Sequence, residues 1–342
     1  MSEILFLKFE VRAMKNKILE ELKANSGRAV SGEEMSRRLG ISRTAVWKHI
    51  RKLRSEGYNI ESQTNSGYKL IGSPDVLSLS ELEPFLHTEV IGRNIIYLDS
   101  VDSTNTYAKK KAEDPFREGT VVIADGQTVG KGRLGRHWVS AKGKGIWMTI
   151  MLKPDILPYD APKLAIVAAL AVVNALRSYC QVEAKIKWPN DIVAGGKKLC
   201  GILTEMSAEA DEIKYVIIGI GINVNMEIDD FGQELSGIAT SIRIEKGGTV
   251  SRKALAASVL SEFEEIYKVF VRDGSIRSFL DEYKSKSAVL EKEVILISKK
   301  EEIAGLAVDI SEEGHLVVKL ADGSCREVMS GEVSVRGIYG YI

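Results

Sequence analysis

The sequence predicts an α+β chain in three parts: helices closed by a two-stranded hairpin, then a central part on a mixed sheet, then a small β-barrel. Three observations carry this. Residues 14–72 hold short amphipathic helices followed by two strand-like runs. Residues 76–286 alternate β-branched strands with helices, one of them apolar over most of its surface. From about Val289 the pattern changes to closely spaced short strands, which defines a third part over 288–342. A length of 342 residues with 44% hydrophobic content supplies apolar material for two or three domains.

In chain order, Ile18, Leu19 and Leu22 recur at helical spacing up to Gly27. Met14 opens this helix in an ordinary way, so residues 1–13 read as a short extension. Ser31 with Glu34 three positions on is a capping box for a short helix bearing Met35 and Leu39. Gly40 breaks it, and Ser42 caps the next helix, Arg43 to about Glu56, with Val46, Ile50 and Leu53 inward. Two helices joined by a short Gly-containing turn make a helix-turn-helix. Tyr58–Gln63 and Gly67–Ile71, around the turn from Thr64 to Gly67, add a wing. Seven Lys/Arg oppose three Glu between Ser31 and Tyr58. Net charge is zero, so nucleic-acid contact must come from such a local patch. Ser42, Arg43 and Thr44 would face base edges, with Lys48 and Arg51 on the outward face. The competing reading is a solvated helical bundle that touches only protein.

The central part is organised around Gly126 to Trp138, where Gly130, Gly132 and Gly135 alternate with Lys131, Arg133 and Arg136. Glycine lets backbone approach a ligand, successive N–H groups form anion nests, and arginine adds planar donors for phosphate or carboxylate. By composition alone the stretch is equally a solvated basic turn. It has no Gly-Lys-Ser/Thr closure and is not a dinucleotide fingerprint. Strands are predicted at Ile95–Leu98, Gly119–Ala124, Ile146–Leu152, Lys185–Trp188, Leu199–Met206 and Tyr215–Val224. Ser103 or Thr104 caps a helix after the first of them, and a buried helix runs from Pro162 to about Tyr179. Helices follow at Ala254–Tyr267 and Ser275–Ser285. The barrel strands are Val294–Ile297, Ile303–Asp309, His315–Leu320 and Glu332–Arg336, with His315 read as a surface residue.

The order Asp102-Ser-Thr-Asn105, Gly130-Lys-Gly-Arg-Leu-Gly-Arg136, Lys187-Trp-Pro-Asn-Asp191, Lys197-Lys-Leu199 and Gly219-Ile-Gly-Ile-Asn223 resembles the catalytic domain of the biotin–protein ligases. Flanking segments extend the resemblance over most of the chain. It is most similar to the bifunctional form, biotin ligase plus biotin-operon repressor. The resemblance implies a class II synthetase-like central domain and an SH3-like C-terminal domain. It assigns Ser103, Thr104 and Asn105 to the biotin ureido end, and Gln127 to biotin. It places Lys131, Gly132 and Arg133 at biotin and the phosphate. Register points to Lys198 as the ligand-contacting lysine, with Lys197 exposed, and Arg133, Arg136, Asn190 and Asn223 fall at the adenylate. Lys131 departs from the family's usual arginine, which keeps the charge and loses the fork. The glycines at 219 and 221 are expected to let the adenylate come close.

The implied reaction has two steps. Biotin carboxylate attacks the α-phosphate of ATP to give biotinyl-5′-AMP and pyrophosphate. A lysine of a biotin carboxyl carrier protein then attacks the mixed anhydride. Bringing two anions together calls for preorganised cations, and Arg133, Arg136 and Lys198 are the catalytic candidates, supported by Lys131. Mg²⁺ is expected through the ATP phosphates, and no protein metal site is assigned. The base for the acceptor lysine has no clear candidate beyond Asp191. Operator DNA is the second partner, and a homodimer is expected when adenylate is bound. Two alternatives stand beside this: a ligand-sensing regulator without ligase activity, and a lipoate or octanoate transferase of related fold. Three widely spaced cysteines, Cys180, Cys200 and Cys325, suggest a reduced, cytoplasmic setting. The apolar run at Leu164–Leu176 reads as too short for a bilayer, and the N-terminus lacks a signal-peptide pattern.

Overall fold

The computed structural model describes residues 3–63, 66–209, 212–297, 302–329 and 334–337, with 3–13 and 334–337 described by backbone alone. The chain divides into two compact units, Met1–Asp75 and Val76–Ile342.

In the first unit, α1 (Glu3–Ala24) starts well before Met14. Residues 3–13 contain no Gly or Pro, so nothing local stops the helix from extending backwards. In α2 (Gly32–Leu39) the Ser31 hydroxyl accepts from Glu33 N. The reciprocal half of the expected capping box does not form, because Glu34 pairs with Arg38 at 2.5 Å. Gly40 takes the left-handed conformation (φ 66°) that ends α2, and Ser42 accepts from Ala45 N to open α3 (Arg43–Ser55). Val46, Ile50 and Leu53 of α3 bury against Ile18, Leu19, Leu22 and Met35. The hairpin β1 (Asn59–Gln63) and β2 (Gly67–Gly72) is anchored by Val30, which exchanges two backbone hydrogen bonds with Tyr68. Part of the expected turn, Thr64 and Asn65, lies outside the described residues.

The second unit opens with α4 (Leu79–Leu82) and carries a seven-stranded sheet. Its strands are β3 (Ile95–Leu98), β4 (Thr120–Ala124), β5 (Gly145–Leu152), β6 (Lys185–Lys187), β7 (Asp191–Ala194), β8 (Lys197–Glu209) and β9 (Glu212–Asn223), in the order β3-β4-β5-β9-β8-β7-β6. Only β3 and β4 are parallel, and α5 (Thr104–Ala112) makes the crossover between them. The sheet is backed by α6 (Leu164–Ala175), nearly all of whose residues are buried. Short helical turns extend α6 at both ends, so Pro158–Cys180 is long and apolar enough by composition to cross a bilayer. Most of it is buried in the core of this unit, where it packs against the sheet and against the long α9 described next. After two short helices, α7 (Gly232–Leu235) and α8 (Ile242–Lys246), come α9 (Arg252–Asp273) and α10 (Arg277–Ser285).

The C-terminal strands are β10 (Glu293–Ile297), β11 (Glu302–Ile310), β12 (Leu316–Lys319), β13 (Cys325–Val328) and β14 (Ser334–Gly337), all antiparallel in the order β13-β12-β11-β10-β14. The expected strand at Glu332–Arg336 is described from Ser334 onward; Glu332 and Val333 lie outside the described residues. Strand β13 was not predicted. Three of its four residues are exposed, and an exposed edge strand carries no apolar alternation. Val294, Leu296, Ala307, Leu316 and Val318 join the same apolar core as α6 and α9. Trp188 Nε1 donates to Gly314 O at 3.0 Å, and Lys284 of α10 pairs with Asp309 at 2.6 Å, so the C-terminal strands are tied to the central part.

Candidate functional site

A cavity of about 570 Å³ opens on the face of the central sheet away from α6. Its floor comes from β5, β8 and β9, and its rim from the N-terminus of α5, the Gly/Arg loop and the Lys187–Asp191 turn. Every ligand residue read from the sequence lines it: Ser103, Thr104, Asn105 and Gln127 in one group, and Lys131, Gly132, Arg133, Arg136, Asn190, Lys198 and Asn223 in the other.

The first group is neutral and densely hydrogen-bonded. Ser103, not Thr104, is the N-cap of α5. Thr104 donates to Gln127 Oε1 from its backbone N–H (2.8 Å) and from its hydroxyl (3.1 Å). Gln127 Nε2 in turn donates to Ser140 Oγ at 2.8 Å. The buried Thr149 hydroxyl lies 2.8 Å from Thr104 Oγ1 and 2.7 Å from Asn105 Oδ1. Such paired donors and acceptors suit a neutral polar ligand.

The second group is cationic. Arg133 Nη1 donates to Asn190 Oδ1 at 3.0 Å, and Asn190 Nδ2 is held by Ile202 O at 2.8 Å. Burial pulls the Arg133 guanidinium below its ordinary pKa; Asp191 opposes this and Arg136 adds to it. Lys198 Nζ lies 2.7 Å from Asp191 Oδ1 and 5.2 Å from the Trp138 ring centroid. Lys131, Arg136 and Lys197 are exposed. The side chain of Asn223 is buried and donates to Thr240 O at 3.0 Å.

The loop between the groups is a turn in which Gly132 N donates to Arg136 O (2.8 Å) and Trp138 N to Gly130 O (2.9 Å). At its tip Leu134 takes φ 57° and is 70% exposed, so packing does not fix the tip. The strand glycines Gly219 and Gly221 line the cavity and also make room for side chains of the protein itself. A Cβ on Gly219 would stand 2.1 Å from Asn105 Oδ1, and one on Gly221 would stand 2.6 Å from Trp138 Nε1. Trp138 Nε1 is buried in the cavity wall without an acceptor, a donor that an incoming ligand can use.

Several contributors were missed by sequence reasoning. Thr149 had a signal, being the one hydroxyl in the apolar strand Ile146-Trp-Met-Thr-Ile-Met-Leu152. Lys187, a buried lysine, belonged to a quoted motif but was given no role. Phe231, Leu235, Ile238 and Ala239 also line the cavity, and no motif marks them. Among the described residues no group of three or more His, Cys, Asp or Glu stands where it could hold a metal ion.

In the first unit Ser42, which caps α3, and Arg43, Thr44, Lys48 and Arg51 on α3 are all exposed, away from its buried residues. Trp47, also missed, is 45% exposed there, with the Arg51 guanidinium 5.1 Å from its ring centroid.

Residues 97–223 match the Biotin/lipoate A/B protein ligase family, residues 15–69 an HTH domain, and residues 289–336 the Biotin protein ligase C terminal domain. The chain is 46% identical over 265 residues to the bifunctional ligase/repressor BirA of Bacillus spizizenii, covering 77% of this chain and 82% of that protein. It is 29% identical over 311 residues to the bifunctional ligase/repressor BirA of Escherichia coli, covering 91% of this chain and 94% of that one. Among solved structures, the biotin protein ligase from Aquifex aeolicus in complex with biotin and ATP aligns with a TM-score of 0.63 at 33% identity, over 72% of this chain and 99% of that one.

Proposed function

This chain belongs to the biotin/lipoate A/B protein ligase family, and from that membership and the cavity we infer an ATP-dependent biotin–protein ligase that is also a DNA-binding repressor. It activates biotin with ATP to biotinyl-5′-AMP and passes biotin to a lysine of a carrier protein. The observation that carries this reading is one cavity with neutral hydrogen-bonding groups at Ser103–Asn105 and Gln127 and cations at Arg133 and Lys198. Biotin has a neutral ureido end and an anionic end, and ATP brings further anions. The nucleophiles are the substrates, so the protein's work is positioning and charge stabilisation.

We propose these roles for the residues. Ser103, Thr104, Asn105 and Gln127 take the ureido ring. Lys131, Gly132 and Arg133 take the carboxylate and phosphate, with Arg136, Asn190 and Asn223 at the adenylate and Lys198 between the two anions. Mg²⁺ is expected to enter with the ATP phosphates. The ion pair of Asp191 with Lys198 favours an orienting role for that carboxylate over a proton-accepting one. The three-part division at 14–72, 76–286 and 288–342 is proposed as a functional one: reader, catalyst and a packed-on third part. A homodimer on the DNA is proposed because paired half-sites need paired readers. A cytoplasmic setting is proposed from the three free cysteines and their spacing.

The direct test is exchange of labelled pyrophosphate into ATP. Exchange should require biotin; exchange supported equally by lipoate, or absent with biotin, removes the assignment. Two variants probe the site. Gly219→Ala sets a methyl group on the Asn105 amide, and KM for biotin should rise roughly tenfold or more. An unchanged KM would mean that Asn105 does not touch biotin. Arg133→Gly removes a guanidinium fork and loosens a loop whose tip is already unpacked. This variant should form biotinyl-5′-AMP and lose it, so lysines of a bystander protein become biotinylated in the same tube. An unlabelled bystander, with pyrophosphate still being released, would leave Arg133 without a retention role.

A further inference from the structure

Asn105 stands at the neutral end of the cavity, and its amide can face either way. One way presents an oxygen to the ligand, the other an NH₂ group. The surroundings choose. Asn105 Nδ2 donates to Glu205 Oε2 at 2.8 Å and lies 3.3 Å from Leu203 O. Both are acceptors only, so both amide hydrogens point towards β8. Asn105 Oδ1 is thereby turned to Thr149 Oγ1, which approaches at 2.7 Å. One lone pair of that oxygen remains for a ligand N–H.

Leu203 contributes a carbonyl that any residue would supply. Glu205 is the choice made by the sequence. Its second oxygen is bound by Lys109, one helical turn after Asn105 on α5. The carboxylate therefore clamps α5 to β8 through two side chains on one helix face. Gly219 closes the arrangement from below, leaving no room for any side chain under the amide.

We propose that Glu205 is a positioning residue for biotin: it fixes Asn105 as a hydrogen-bond acceptor for a ureido N–H. This rests on the ligase reading. Without the carboxylate the amide rotates, and the ligand meets a donor where it needs an acceptor. The chemical step at the cationic end is untouched.

The test is steady-state pyrophosphate exchange with the full chain, varying biotin. Glu205→Ala should raise KM for biotin about tenfold, the usual cost of mispairing one buried hydrogen bond, with kcat within twofold. Glu205→Gln keeps an acceptor for Asn105 Nδ2 and should restore most of the affinity. In an Asn105→Ala background, Glu205→Ala should add nothing, because it acts through that amide. A Glu205→Ala enzyme with wild-type KM overturns the proposal, as does an undiminished effect in the Asn105→Ala background or a fall in kcat alone. A wild-type protein that shows no biotin-dependent exchange overturns the ligase reading itself, a different and separable result.

Discussion

Lys198→Ala should lower biotin-dependent pyrophosphate exchange by about 10²–10³-fold, the usual loss when one preorganised stabilising group is removed from an active site. The expectation follows from its surroundings. Lys198 sits over the Trp138 ring and against Asp191, with its charge held in the cavity. The first chemical step brings a carboxylate to a polyphosphate, and their repulsion has to be offset before bond formation. Alanine removes a cation and leaves the Asp191 carboxylate in the cavity, so the attraction on both anionic substrates falls. Removing both charges with Lys198→Ala and Asp191→Asn should recover part of the substrate affinity and little of kcat. Kinetics of the two variants against both biotin and ATP separate these effects. A Lys198→Ala protein with wild-type exchange would exclude this lysine from the chemistry.

A shortened chain starting at Val76 should lose DNA binding altogether and keep exchange activity. The first unit, Met1–Asp75, carries its own core, in which Ile18, Leu22, Met35, Val46, Ile50 and Leu53 are all buried, and it carries the exposed cations of α3. The second unit holds the whole cavity. For the full chain, log affinity for DNA should fall linearly with log salt, by roughly 0.9 per phosphate contacted. Arg43→Ala and Lys48→Ala should each weaken binding, and a substitution at a phosphate contact should also flatten the slope by about one. Gel retardation at three salt concentrations suffices. A shortened chain that still retards DNA would move the reader out of residues 1–75.

Legibility in the sequence followed locality. Caps are bonds over two or three residues, so Ser31 and Ser42 could be found by eye, and the third cap narrowed to Ser103 or Thr104. The failed half of the capping box shows the limit: Glu34 had a competing partner one turn on, in Arg38. Strand runs with apolar alternation were readable, whereas exposed β13 was not. The motifs that line the cavity could be named because each is contiguous in sequence. That Gly219 and Gly221 also accommodate Asn105 and Trp138 was not legible, because those two side chains lie far away in the sequence.

The sequence by itself determined the part list: a basic helix-turn-helix with a wing, a Gly/Arg loop between β-branched strands, and a late run of short strands. The order of its short motifs also carried the family resemblance, and with it the expected chemistry. The tertiary structure decided which parts meet. It set β5 beside β9, and so brought Thr149 beneath the start of α5. It packed the C-terminal strands onto the core shared by α6 and α9. It joined Asn105 to Glu205 across 100 positions of chain. Pairings of that kind depend on sheet register and on the shape of a common core, and both are set by contacts between distant segments that no local pattern records.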